Sequence, residues 1–361
     1  MTSHGVYYAD YLQLNKILNA QELESDKHNK HAHDEMLFII VHQAFELWFK
    51  QILFEVNEVI NILDQDYVPE ASIGKALARV QRVNKIFEMF PQQFAILETM
   101  TPREFMEFRD LLYPASGFQS YQFRLAEIRM GLADSRRLEL DTKGFIDRLG
   151  DEARDHVNEA RKLPSLFSVL EKWLEKMPFM ETDGYAFWEA YRNVVKNIFE
   201  HDRVELHKVT SLTPEQVEKQ LKQIAGVEQG FEALFNADTY KGLQESGERR
   251  LSQRASLAAL FISVYSEYPL LQTPYRFLDA VLEMDKLISV FRYRHTVMVS
   301  RMIGQRVGTG GSSGFDYLLK TVTQHRVFTD IAGLSSYLLP SHQIPVLPDE
   351  IAKKLQFVAE A

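Results

Sequence analysis

Between Asp34 and Asp64 the chain offers a long helix whose first half has almost no polar side. Apolar residues recur at i, i+3, i+4 and i+7, and Met36, Leu37, Phe38, Ile39, Ile40, Val41, Phe45, Leu47, Trp48 and Phe49 cover nearly its whole circumference. At 1.5 Å per residue this helix would be roughly 45 Å long. A helix apolar all round must be buried all round. That demands a large fold, a buried cofactor, a subunit interface, or all three. The same period runs through 74–97, 118–132, 164–176, 185–202, 213–236, 249–267 and 275–305, and no alternating run suggests a strand. The expected fold class is therefore all-α.

Several helix starts carry their chemistry in the sequence. Thr101-Pro102-Arg103-Glu104 reads as an N-cap, a proline at the first helical position and a capping-box glutamate. Thr213-Pro214-Glu215-Gln216 repeats that logic, Thr273-Pro274 predicts a third such start, and Ser165 follows Pro164 as a cap. Glycine and proline (17 and 12) do not gather into a linker, so 1–361 reads as a single large helical domain. The stretch 137–163 is rich in charge and weakly apolar, which predicts a peripheral elaboration.

Composition narrows the chemistry. There is no cysteine, which excludes disulfides, thiolate catalysis, Fe–S clusters and cysteine-ligated metals, and fits a reducing cytoplasm. A net charge of −9 argues against nucleic-acid binding, which needs a basic face to displace counterions. The first sixteen residues lack a basic region followed by an apolar one, so no signal peptide is expected. Met36 to Val41, as long an uninterrupted apolar run as the chain contains, is far short of the ~20 residues that span a bilayer, so no membrane partner is expected.

Two histidines sit in apolar helical surroundings. His42 follows Phe38 by four residues and shares its face; it reads either as a core histidine bonded to a carbonyl or carboxylate, or as a functional group. His295 lies among Val297, Met298, Met302 and Ile303, with Arg292, Arg294 and Arg301 flanking it. One imidazole on an apolar face with arginines nearby suits a haem, whose iron it would ligate; the alternative is again a satisfied core histidine. Arg109 precedes a helix end near Tyr113-Pro114 and a small-residue turn, where its fork is placed either to clamp a carboxylate or to pair with Asp110. Gly308-Thr-Gly-Gly-Ser-Ser-Gly314 lacks the Lys-Ser/Thr of a P-loop and the third glycine of a dinucleotide fingerprint. It reads as a loop between helices, or as a lid whose Thr309 hydroxyl and backbone amides meet an amino-acid head group. No E-x-x-H pair supports a di-metal bundle, and His28-x-x-His31-x-His33 lies in a polar segment that reads as a solvated loop.

Taken together, Tyr8-x-x-Tyr11, the run from His33 through His42 to Trp48, Phe108-Arg-Asp, Pro114-x-Ser-Gly-Phe-Gln-Ser, Arg294-His295 with Met298, and the 308–314 loop give a chain that resembles the haem-dependent tryptophan 2,3-dioxygenase family along its whole length. The resemblance implies a homotetramer, a dimer of dimers, with one haem b buried between helices in each subunit and O2 as co-substrate. It implies His295 as the proximal ligand of the haem iron, with Ser116, Phe38 and Arg294 also at the cofactor. His42 would be the distal catalytic histidine that hydrogen-bonds the indole N–H. Arg109, Thr309 and Gly310 would hold the head group of L-tryptophan, and Phe38, Ile39, Val41, Leu112 and Ser116 would line its pocket. Tyr8 and Tyr11, within an N-terminal segment 1–32, would reach a neighbouring subunit's site. The implied reaction inserts O2 across the indole C2–C3 bond to give N-formyl-L-kynurenine, the first step of the kynurenine route, in the cytoplasm. Two departures stand out: Ala9 where the family often has glycine, and Phe105 where some members have a tyrosine that helps bind the carboxylate. The alternatives are a related haem protein acting on another indole or aromatic amino acid, and a non-catalytic haem-binding sensor.

Overall fold

Side-chain chemistry builds the helix starts. Thr101 Oγ1 accepts the backbone N–H of Glu104 at 3.3 Å, while Glu104 Oε2 accepts that of Thr101 at 2.7 Å. Thr213 and Gln216 form the same reciprocal pair, and Ser165 does so with Ser168. Each box satisfies donors that a helix N-terminus otherwise leaves open. The computed structural model that shows these bonds describes residues 5–133, 135, 137, 149–182, 184–304 and 314–357.

Among the described residues, the helices of eight residues or more are α1 (Glu35–Leu63), α2 (Glu70–Leu97), α3 (Pro102–Arg109), α4 (Tyr121–Met130), α5 (Asp151–Lys162), α6 (Leu166–Glu175), α7 (Phe187–Lys208), α8 (Pro214–Phe235), α9 (Ala237–Glu245), α10 (Gln253–Val264), α11 (Pro269–Ile303) and α12 (Gly314–Gln324). Short helical turns cover Tyr8–Tyr11, Leu14–Leu18 and Glu24–Lys27. The all-α expectation is met with one small correction. Glu181–Thr182 and Tyr185–Ala186 form an antiparallel pair, with Thr182 opposite Tyr185 and Gly184 at φ +83 in the turn. Two-residue strands are too short to show an alternating pattern.

The predicted helix start at Thr273-Pro274 is also corrected. Pro274 lies inside α11, which begins five residues earlier at Pro269. Pro269 takes the first position, where the missing N–H is harmless. Pro274 then costs the second turn one hydrogen bond and is otherwise compatible with helical φ.

The chain folds into two compact units. The first comprises 1–55, 83–163 and 286–326. Its core is an aromatic cluster: Phe90 meets Phe45 at 5.1 Å, Phe49 at 5.6 Å, Phe87 at 5.3 Å and Phe291 at 5.3 Å. Edge-on and tilted geometries of this kind suit the ring quadrupoles. In the stretch 137–163, α5 packs on α4 through Ile128, Leu149, Val157 and Ala160. The second unit comprises 56–82, 164–285 and 327–361. Its α7–α8 hairpin is closed by Phe199 against Phe231 at 5.6 Å and by the pairs Arg192–Glu232 and Arg203–Glu228. Phe187 packs edge-on against Phe261 of α10 at 5.1 Å.

α1 is only partly buried within this chain. Its inner face carries Val41, Phe45, Phe49 and Ile52 into the core. Met36, Ile40, Leu47 and Phe54, spaced by 4, 7 and 7 residues, form one stripe that is 38–70% exposed. By length and hydropathy α1 is also the described helix apolar enough to cross a bilayer, a test that the core helix of a water-soluble protein passes as well.

Candidate active site

Apart from Tyr8 and Tyr11, the predicted site residues that the structure describes are carried by α1, α3, the turns after α3, and the last third of α11, all in the first unit. Helical spacing puts Phe38 and His42 one turn apart on α1, and their rings lie 4.1 Å apart. Phe38 also stacks on Phe105 of α3 at 5.6 Å and meets fully buried Phe108 edge-on at 5.6 Å. These aromatic rings form a wall beside the His42 imidazole.

The His42 ring is fixed by its own helix. Nδ1 lies 2.7 Å from the carbonyl oxygen of Phe38. A carbonyl can only accept, so the proton sits on Nδ1. Burial lowers the pKa of His42, against opposing contributions from that hydrogen bond and from Glu46. The neutral ring therefore presents Nε2 with a free lone pair as an acceptor. The core-histidine reading and the functional reading each account for one nitrogen.

His295 lies between aromatic neighbours. Phe291, one turn earlier on α11, is nearly parallel to it at 6.5 Å, and Phe94 of α2 is 6.1 Å away. Burial, with lesser contributions from His42 and Arg292, pushes its pKa down to about 4. It is neutral at physiological pH, and the two imidazoles are near enough to feel each other's charge. Among the described residues neither ring nitrogen of His295 has a hydrogen-bond partner. Both rings are surrounded by protein yet keep some accessible surface, so what they expose borders a recess.

This donor set can be tested against cofactor classes. Among the described residues there is no group of three His, Cys, Asp or Glu side chains that would cage a bare metal ion. The histidines at 28 and 31 instead pair with Glu24 at 3.5 Å and Asp26 at 2.7 Å on the exposed surface. A single neutral imidazole in an apolar, aromatic recess fits a metal that arrives with four equatorial ligands of its own, which is a haem.

Arg109 ends α3, with its side chain 15% exposed. Its contact with Asp110 is long, 3.7 Å, and Asp110 is largely exposed, so that pair does not use the guanidinium fork. Leu112 lies in the 3-10 turn Asp110–Leu112, and the backbone N–H of Ser116 donates to Gln119 Oε1 at 3.1 Å. Both are half-buried, as is Ile39, while Val41 is buried. Arg294 Nη2 donates to Glu98 Oε2 at 3.3 Å, Arg292 pairs with Glu127, and Arg301 is exposed. Tyr8 and Tyr11 are 74% and 75% exposed, so within one chain they do not line the recess. Thr309 and Gly310 lie outside the described residues.

Sequence reasoning missed Phe94 and Phe291 as neighbours of His295, and Glu127 as the partner of Arg292. The i, i+4 spacing of Phe291 and His295 was available as a signal. Phe94 and Glu127 reach α11 only through tertiary packing.

Comparison with known proteins covers almost the whole chain. Residues 1–338 match the family model described as tryptophan 2,3-dioxygenase. The chain is 42% identical over 351 residues to the tryptophan 2,3-dioxygenase of Alteromonas mediterranea, covering 97% of each protein. It is 42% identical over 355 residues to that of Bdellovibrio bacteriovorus, covering 98% of each. The mouse protein of the same name is 41% identical over 360 residues, covering 99% of this chain and 87% of the relative.

Proposed function

The chain belongs to the tryptophan 2,3-dioxygenase family, and on that premise we propose that its first unit binds haem b through His295 and oxidises L-tryptophan with O2 beside His42. The observation that carries this reading is the pair of largely enclosed, neutral imidazoles near enough to feel each other's charge, one with an open Nε2 and one with neither ring nitrogen claimed among the described residues. When bound, the haem supplies the redox chemistry with O2.

The protein's part is to bind, orient and exclude water. His42 Nε2 accepts the indole N–H and so sets the ring's direction; it orients and is not required as a base. Phe38, Ile39, Val41, Leu112 and Ser116 form the pocket wall, with Phe38 and Ser116 shared with the cofactor. The apolar lining excludes water and leaves few acids to supply a proton at the reacting centre. Arg109 pairs with the substrate carboxylate, and Thr309 and Gly310 hold the rest of the head group. Phe105 brings no hydroxyl, so Arg109 and Thr309 carry the carboxylate without it. Arg294, beside His295, is assigned to the cofactor's own carboxylates. Both oxygen atoms enter the substrate as the C2–C3 bond breaks, and the product is N-formyl-L-kynurenine, which opens the kynurenine route.

A second copy of the chain completes the assembly in this reading. The exposed α1 stripe and the exposed Tyr8 and Tyr11 are apolar surface without cover in one chain. We assign them to a homotetramer, a dimer of dimers, in which the 1–32 segment reaches a neighbouring site. That assignment also gives the apolar face of α1 a protein partner and not a bilayer. A cysteine-free chain suits the reducing cytoplasm.

The test is to purify the protein with haem supplied, reduce it, and add L-tryptophan in air while following the haem spectrum and the near-ultraviolet rise of N-formylkynurenine. Product formation supports the proposal. A histidine-ligated spectrum without product would point to another substrate or to a sensor, and no haem binding would overturn the ligand assignment.

A further inference from the structure

A buried charged constellation is built around Glu127 and joins α11 through Arg292. Glu127, in the last turn of α4, is 2% exposed and accepts hydrogen bonds on both carboxylate oxygens. Arg124 reaches Oε2 at 2.6 Å, Arg137 reaches the same oxygen at 2.8 Å, and Arg292 of α11 binds Oε1. His325 stands 3.8 Å from Oε1. Burial alone would push this carboxyl up, but Arg124, Arg292, Arg137 and His325 overrule it and hold it well below the usual range. It is an ionised group held in the interior.

The geometry around Arg292 is specific. Its guanidinium lies over the ring of Phe123 at 5.0 Å, and Phe123 is one turn before Glu127 on α4. α4 therefore grips Arg292 from two sides, with a ring face and a carboxylate. Arg292 is three residues before His295, and its carbonyl accepts the Thr296 hydroxyl at 2.8 Å. Phe291, adjacent to Arg292, packs on Phe123 at 5.3 Å and lies parallel to the His295 ring. The roll of α11 about its axis at this turn, which sets where the His295 ring points, is thus tied to Glu127 across 165 residues of sequence.

We infer that Glu127 is a positioning residue for the haem ligand, acting through Arg292 to fix the orientation of His295; this rests on the haem reading proposed above. A buried ion pair is weak evidence for stability, but moving one partner away strands a charge in the interior, so the Glu127–Arg292 pair resists displacement of α11 at this turn. Partners bonded directly to a metal-ligating histidine typically change metal affinity by about 10- to 100-fold when removed, and that range is the upper bound for Glu127, which reaches His295 through Arg292 and the helix backbone.

The experiment compares Arg292→Met with Arg124→Met in the haem-loaded protein. Arg124→Met removes an equally buried cation from the same carboxylate but leaves the Arg292 link intact. The readouts are the iron–histidine stretching band of the ferrous protein, the rate of haem transfer to an acceptor protein, and Tm. The inference predicts that Arg292→Met shifts or broadens the band and speeds haem loss by up to about 100-fold, while Arg124→Met lowers Tm and leaves the band in place. Equal effects of the two variants on the band, or none from Arg292→Met, overturn it. If Arg292→Met does not fold, Arg292→Lys keeps the charge, loses the planar fork, and carries the same readouts. The ligand assignment is checked separately: His295→Gly must lose the band and regain it with added imidazole. Failure there overturns the haem reading and this inference with it, whereas a normal result there with an unmoved band in Arg292→Met overturns the positioning role alone.

Discussion

Replacing His295 by leucine removes from the first unit an imidazole that burial holds neutral, and the consequence can be worked as a pH dependence. The ordinary imidazole value is 6.5, and in the folded chain it is pushed down to about 4. Between those two values the unfolded chain binds a proton that the folded chain refuses. Stability therefore falls as pH falls through this window, is unaffected above it, and levels off below it. At about 1.4 kcal/mol per pH unit, the full loss through this one group is about 3 kcal/mol, of which roughly 2–3 kcal/mol is already gone at pH 4.5. The assay is urea denaturation of the haem-free wild type and of His295→Leu at about pH 7, 5.5 and 4.5, at one fixed protein concentration. The carboxylates titrate in both proteins and cancel in the difference, and His42, which acts on His295 only as a lesser contribution beside burial, leaves the sign of that difference unchanged. The wild type should lose roughly 2–3 kcal/mol more than the variant between the first and last pH. Parallel profiles would mean that the His295 ring is not held neutral, and the argument that it offers a lone pair to iron would fail with it.

Arg109→Met should raise the KM for L-tryptophan by roughly 30- to 1000-fold, since a charge-assisted bidentate contact contributes on the order of 2–4 kcal/mol; steady-state kinetics with an unchanged KM would remove Arg109 from the carboxylate. His42→Ala should reduce turnover without abolishing it, because its Nε2 orients the indole; complete loss with haem and substrate binding intact would make it a required base. Phe90→Ala, at the centre of the aromatic cluster, should cost about 3–5 kcal/mol in denaturant unfolding, and a loss below about 1 kcal/mol would refute the packing account.

What the sequence made legible was local. The threonine caps at 101 and 213, the shared face of Phe38 and His42, and Arg109 at a helix end all follow from periods of three and four residues. Pro274 was misread because a proline inside a helix's second turn carries the same local signal as one at its start, and Pro269 had already taken that place. The demand that α1 be buried on every side is not met within one chain, where the stripe from Met36 to Phe54 stays open. Glu127 was invisible in a different way. Nothing in the pattern around it distinguishes a carboxylate bound for solvent from one that tertiary packing surrounds with three arginines and a histidine. The hydrogen bond that selects the His42 tautomer belongs between these cases: its spacing was readable, and its geometry was not.

The most direct test of the central claim is a single turnover of the reduced, haem-loaded protein with L-tryptophan under 18O2, followed by mass analysis of the product. Insertion of both oxygen atoms across the C2–C3 bond predicts N-formyl-L-kynurenine carrying two heavy oxygens. A product with one heavy oxygen would mark a monooxygenase, and tryptophan recovered unchanged from a histidine-ligated haem protein would contradict the assignment of this site to tryptophan oxidation.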